Sequence, residues 1–136
     1  MYHSITIVGR LGRKPEMRYT PSGQGVTSFS VATDHQYTNG QGERVKETVW
    51  FRVSVWGKQA EACNQYLDKG SKVLVEGRMT PDKKTGAPRI WESEGKPATS
   101  YEVNASTVRF LSSRADVQAS AAPQAEAAPA EDEFPI

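Results

Sequence analysis

The sequence contains one cysteine, two histidines and no long apolar run. A single cysteine excludes an intrachain disulfide, and the helical pattern around Cys63 predicts a small buried hydrophobe rather than a nucleophile. His3 and His35 have no partners at metal-ligand spacing, so we predict neither a metal site nor a cofactor. No segment reaches membrane length and no secretory signal is recognisable, which predicts a cytoplasmic protein. Without a carboxylate pair or an activated nucleophile, an enzyme is not expected.

Basic residues are absent from the last part of the chain. Residues 1–114 contain all 17 Lys and Arg and 11 of the 16 acidic residues, a net charge of +6, whereas residues 115–136 contain the other five acidic residues and no Lys or Arg, a net charge of −5. A basic body predicts a polyanionic partner, with tail acidity for solubility as the alternative. The Ala/Pro-rich residues 113–130 offer little to build a core and predict a disordered linker. A separate acidic tip follows, formed by Glu131, Asp132, Glu133, Phe134, Pro135 and Ile136.

Residues 1–112 have the pattern of an all-β domain. Strand-like alternation is found in residues 3–11, 26–34, 44–56, 72–79 and 100–111. Residues 59–70 have helical spacing, polar residues 35–43 and 80–99 predict connections, and a parity change in the last strand predicts a bulge. Five strands with one short helix between strands 3 and 4 predict an OB-fold barrel. Strand count alone also allows an SH3-like barrel, which the helix position disfavours.

The third strand contains the stretch TVWFRVSVWGK, residues 48–58. Successive side chains of a strand point to opposite faces, so Val49, Phe51, Val53 and Val55 form the predicted core face. Two tryptophans and two basic residues alternate with these and point to the opposite face, namely Trp50, Trp56, Arg52 and Lys58. Exposed rings about 20 Å apart can stack on several nucleobases of a single strand, while the basic side chains Arg52 and Lys58 contact its phosphates. The alternative is that a loop or subunit covers Trp50.

Further candidates lie in the two predicted connections. Tyr37 and Trp91 could extend the stacking surface, although a loop tryptophan can also fold back as a plug. Lys83, Lys84 and Arg89 could follow the phosphate backbone, with simple solvation as the alternative.

In several stretches the chain resembles the bacterial single-stranded DNA-binding proteins. The matching stretches are ITIVGRLGRKPEMRYTPSG, SFSVAT, TVWFRVSVWGKQAE, YLDKGSKVLVEGR and the acidic tip. The resemblance implies an OB-fold homotetramer, built as a dimer of dimers, that wraps single-stranded DNA without catalysis or cofactor. It implies stacking roles for Trp50, Trp56 and Tyr37. The aromatic residue that the family has between strands 4 and 5 is best matched by Trp91. The resemblance also implies phosphate contacts by Lys58 and Lys69, with Arg10 and Arg18 in the matching first-strand region.

The resemblance further implies that the tip docks on replication and repair enzymes, although Phe-Pro-Ile replaces the family's usual Ile-Pro-Phe. We therefore expect a nucleoid-associated protein that binds single-stranded DNA during replication, recombination and repair. Two alternatives remain open: an OB-fold module for RNA or a primosome component, and an adaptor whose aromatic face binds protein or carbohydrate. The uneven charge argues against the adaptor.

Overall fold

The computed structural model describes residues 1–112, and the predicted linker and acidic tip lie outside the described residues. The described chain forms eight strands and one helix. They are β1 (Ile5–Leu11), β2 (Glu16–Tyr19), β3 (Gly25–Thr38), β4 (Arg44–Trp56), α1 (Lys58–Tyr66), β5 (Lys72–Met79), β6 (Ile90–Ser93), β7 (Lys96–Thr99) and β8 (Tyr101–Phe110).

Five of these strands close a barrel in the order β1-β5-β8-β4-β3, and β3 pairs again with the end of β1. The β4–β8 pair is parallel, whereas the other barrel pairs are antiparallel. In the chain, α1 lies between β4 and β5, which are the third and fourth barrel strands. This topology confirms the predicted OB fold.

The barrel interior is filled by small β-branched side chains. Val31, Val53, Val55, Val73 and Val75 are completely buried. The helix packs on this core through the buried residues Ala60 and Cys63, and Leu67 just after the helix is buried in the same core. Here the predicted inward side chains are confirmed for the second half of β4, because that half lies within the closed barrel.

Two local features allow the barrel to close. Gly9 lies where β1 passes from β5 to β3, and a Cβ at this position would clash with the carbonyl group of Ala32. On β8 the register shifts opposite Glu76 and Gly77, leaving Ser106 as an extra residue whose hydroxyl donates to the Glu76 carbonyl at 3.0 Å. This irregularity confirms the predicted bulge, which lets both halves of β8 direct apolar side chains to the core.

Three predicted boundaries are wrong. Residues 35–38 continue β3 instead of starting a connection, because main-chain pairing with β4 continues beyond the core and ends at an Asn39 turn. Residues 80–99 contain the hairpin β6–β7, whose few apolar residues gave no clear alternation. The helix ends at Tyr66 rather than near residue 70, since Leu67 turns to an extended conformation and packs into the core.

Candidate nucleic-acid interface

The outer face of β3 and β4 is set by an uninterrupted register. Residues directly opposite each other share a face, so Trp56 is paired with Val26, Arg52 with Ser30, and Trp50 with Ala32. The face continues onto β8, where Glu102 lies opposite Arg52 and Asn104 opposite Ser54. One side of the barrel therefore presents hydroxyls and a guanidinium between two tryptophans.

The two tryptophans differ in exposure. Trp56 is 39% exposed at the end of β4, as the alternation predicts. Trp50 is only 8% exposed, because its ring packs over Gly12, where an added Cβ would lie 2.5 Å from the ring. The predicted exposure of Trp50 is thus wrong, and its stacking role stays a prediction. Val49 is 38% exposed, so the predicted core face is also wrong at the outer end of the strand.

Tyr37 lies on β3, five positions after Ala32, and therefore on the opposite face of the ladder from Trp50 and Trp56. Its hydroxyl donates to Glu47 at 3.1 Å, and its ring stacks on His35 with centroids 5.9 Å apart. The hydrogen bond to Glu47, followed by the charge of that carboxylate, raises the pKa of the Tyr37 phenol. The structure does not bring Tyr37 onto the surface that carries Trp56.

Trp91 lies on β6, paired with Ala98 of β7, and is partly exposed. The Arg89 guanidinium lies 4.7 Å from the centre of its ring. The same guanidinium donates from Nε to Glu102 at 3.2 Å and from Nη2 at 3.4 Å. Two of the predicted contact residues, Trp91 and Arg89, are thereby joined to the barrel face through a carboxylate.

The remaining Lys and Arg residues predicted to contact phosphate lie in different parts of the fold. Arg18 is exposed on β2. It pairs with Val26 of β3, which in turn pairs with Trp56 of β4. The backbone of Arg18 therefore lies two strand spacings, about 10 Å, from that of Trp56. Arg10 instead donates to the Gly70 carbonyl at 2.9 Å and helps fix the turn before β5. Exposed lysines occur at the start of α1, in the turn after it and in the loop before β6, namely Lys58, Lys69, Lys83 and Lys84.

Sequence reasoning missed two residues of this face. Arg78 is exposed on β5 opposite Asn104, so it shares the row that contains Ser54. The sequence could have predicted this position, because Arg78 has the opposite parity to the apolar residues Val73 and Val75, which are buried. Glu102 could not be found this way, because only pairing with β4 and the contact with Arg89 give it a place in the site.

Other kinds of site find little support in the described part of the chain. Residues 1–112 contain no group of three or more His, Cys, Asp or Glu side chains that could hold a metal ion. Burial raises the pKa of the Cys63 thiol to about 11, which disfavours the thiolate that a nucleophile requires. Within residues 1–112, no helix is both long enough and apolar enough to cross a membrane.

The strand order, the helix position and the polar outer face define an OB-fold protein. Residues 2–111 match the model of the single-strand binding protein family, and the chain belongs to this family.

Two curated relatives illustrate the similarity. The single-stranded DNA-binding protein of Neisseria meningitidis serogroup A is 38% identical over 112 residues, which cover 82% of this chain and 61% of the relative. That of Wolinella succinogenes is 33% identical over 114 residues, which cover 84% of this chain and 67% of the relative. The chain therefore spans about three fifths of the length of the Neisseria relative.

Solved structures show the same likeness. A Plasmodium falciparum SSB, solved in complex with ssDNA, is similar with a TM-score of 0.68 and 25% identity, over 82% of this chain and 97% of the other. A single-stranded DNA binding protein from Thermus aquaticus is similar with a TM-score of 0.64 and 29% identity, over 83% of this chain and 52% of the other.

Proposed function

We propose that this chain binds single-stranded DNA without sequence preference, on the outer face of β3 and β4. The observation that carries the proposal is the exposed Trp56 ring on an OB-fold face that also bears Arg18, Arg52 and Arg78. Among the described residues none of these three guanidiniums has an ion-pair partner. An open ring stacks on a base of any identity, and unpaired guanidiniums attract phosphates.

The arrangement supports binding rather than catalysis. Stacking contributes about 1–3 kcal/mol per base and is tolerant of sequence. Phosphate contacts release counterions, so affinity falls as salt rises, with a slope of about 0.7 per contact on a single strand. Ser28, Ser30 and Ser54 line the same face and can donate hydrogen bonds to phosphate or sugar oxygens. Lys58, Lys69, Lys83 and Lys84 add further exposed positive charge to the described surface, which attracts a polyanion.

The central experiment is a fluorescence titration with oligo(dT) at several salt concentrations. We expect tryptophan quenching, an affinity that falls with salt, and a loss of about 1–3 kcal/mol in the Trp56→Ala variant. Tyr66→Ala is the matched control, since Tyr66 is an exposed aromatic ring on α1 and not part of the β3–β4 ladder. Absence of quenching and of binding at low salt would refute the proposal. Competition with poly(U) and with duplex DNA tests the RNA-binding alternative.

The proposal extends to a cellular role. We infer that the chain protects single-stranded DNA in replication, recombination and repair, in the cytoplasm and at the nucleoid. It acts as a homotetramer, and the tip residues 131–136 recruit replication and repair enzymes through acidic and apolar side chains. Support comes from the family and from the charge difference between body and tip.

Two measurements test these finer statements. Light scattering should give about four times the 15.0 kDa chain mass, and a monomeric mass would contradict the tetramer. Removing residues 131–136 should abolish binding to purified replication and repair enzymes while leaving oligo(dT) binding intact. Unchanged binding of those enzymes by the truncated chain would exclude the recruiting role.

A further inference from the structure

A carboxylate lies in the middle of the basic outer face. Glu102 on β8 is opposite Arg52 of β4 in the parallel ladder. Its side chain is 22% exposed and accepts two hydrogen bonds from Arg89, at 3.2 and 3.4 Å. An acid at this position opposes the attraction of phosphates, so its presence on a DNA-binding face calls for a reason.

Arg89 connects this carboxylate to Trp91. The guanidinium lies 4.7 Å from the centre of the Trp91 ring, close enough for a cation–π contact. The Arg89 backbone is fixed as well, because the Thr99 hydroxyl donates to its carbonyl at 2.8 Å. Glu102, Arg89 and Trp91 therefore form a continuous series that runs from the barrel to the β6–β7 hairpin.

The geometry of the pair restricts the ring. Two hydrogen bonds to one carboxylate fix the plane of a guanidinium far better than a single contact does. The fixed guanidinium lies over one face of the Trp91 ring, and Trp91 is partly exposed. Solvent-accessible ion pairs contribute little to stability, so folding alone does not explain this contact.

We propose that Glu102 is a positioning residue of the single-stranded DNA site. It holds Arg89 over Trp91 and away from the phosphates, so that Trp91 presents its uncovered face to a base. This inference rests on the proposed function and deepens it. It also reassigns Arg89, which the sequence suggests as a phosphate contact, to the support of an aromatic ring.

The arrangement predicts that removing the carboxylate has two opposite effects. Freed from Glu102, Arg89 can bind a phosphate, which strengthens binding at low salt and makes its salt dependence steeper. The Trp91 ring loses its fixed orientation, which weakens the part of binding that salt does not affect. The lines of log affinity against log salt for the two proteins should therefore cross.

The experiment compares Glu102→Gln with Glu92→Gln in oligo(dT) titrations from low to high salt. Glu92→Gln is the matched control, because it makes the same charge change at an exposed hairpin residue outside the series. For Glu102→Gln we expect the slope to steepen by about 0.7 and the high-salt affinity to fall about threefold or more. For Glu92→Gln we expect neither change. Parallel lines for Glu102→Gln and the parent chain would overturn the inference.

A double-mutant cycle with Trp91→Ala tests whether Glu102 acts through the ring. Trp91→Ala alone should lower affinity by roughly 5-fold to 160-fold, and Glu102→Gln should then cause no further high-salt loss. An equal loss in both backgrounds would show that Glu102 acts elsewhere. Arg89→Lys, which keeps the charge but lacks the planar fork, should reproduce the high-salt loss, and unchanged high-salt binding would count against the inference. If the parent chain itself does not bind oligo(dT), the proposed function fails instead.

Discussion

The β3–β4 ladder and the β6–β7 hairpin both present tryptophans, but they fix them by different means. On β4 the face of each ring follows from thirteen consecutive residue pairs with β3 and from the closure of the barrel. The hairpin has four residue pairs and forms a separate sheet, and its ring is oriented by a guanidinium bound to a barrel carboxylate. Main-chain pairing thus decides the direction of Trp56, whereas side-chain chemistry decides that of Trp91.

The largest effect expected from this difference separates the two tryptophans of β4. Trp50→Ala should lower the free energy of unfolding by about 3 kcal/mol, since its buried ring packs over Gly12. Trp56→Ala should change it by about 1 kcal/mol or less, because that ring is open to solvent. Denaturant unfolding followed by far-UV circular dichroism measures both values. Equal losses in the free energy of unfolding would contradict the conclusion that Trp50 is a packing residue and Trp56 an open surface residue.

A smaller effect concerns the barrel alone and depends on pH. Burial raises the pKa of the Cys63 thiol from 9.0 to about 11. The unfolded chain therefore loses this proton first as pH rises, so stability is complete below pH 9.0 and decreases towards pH 11. The loss should approach about 2 kcal/mol at the upper limit.

The matched control is Cys63→Ala, which should show a shallower decrease over this pH range. Urea midpoints measured at several pH values give both slopes. Identical slopes would exclude the thiol as a source of the pH dependence.

The smallest expected effect concerns the hairpin alone. Glu94 and Gly95 at its turn both have positive φ angles, 53° and 79°, which asparagine tolerates better than glutamate at the first position. Glu94→Asn should stabilise the hairpin by at most about 1 kcal/mol without changing barrel unfolding. Hydrogen exchange of the β6 and β7 amides measures the gain. Glu92→Asn, at a regular strand position, serves as the control, and a similar gain there would refute the turn explanation.

Much of the fold could be predicted because the signals were local. The alternation in β5, the helical spacing of Ala60, Cys63 and Leu67, and the parity change in β8 all depend on neighbouring residues. The continuation of β3 to Thr38 could not be read, because that part of the strand covers no core and its residues are polar. Main-chain hydrogen bonds do not require an apolar face, so the ladder extends where the hydrophobic pattern ends.

The candidate site was predicted less completely than the fold. Trp56 has the predicted exposure, and Arg52 lies on the predicted face. Tyr37 lies on the face opposite to Trp56 because β3 continues to Thr38. Arg10 donates a hydrogen bond to the Gly70 carbonyl. The Arg10 contact joins segments that are distant in the sequence, which periodicity within one strand cannot reveal. The face of Tyr37 depends on a polar extension of β3 that carries no hydrophobic signal.

The sequence by itself determined the strand periodicities, the presence of helix α1 and the side of β4 on which Trp50 and Trp56 point. A side chain in a strand has only two directions, and hydrophobic burial selects between them. Only the tertiary structure decided that Trp50 is covered beside Gly12 while Trp56 stays open, and that Glu102 lies opposite Arg52 and binds Arg89. Exposure and charge pairing depend on which distant segments come together, and barrel closure sets that arrangement.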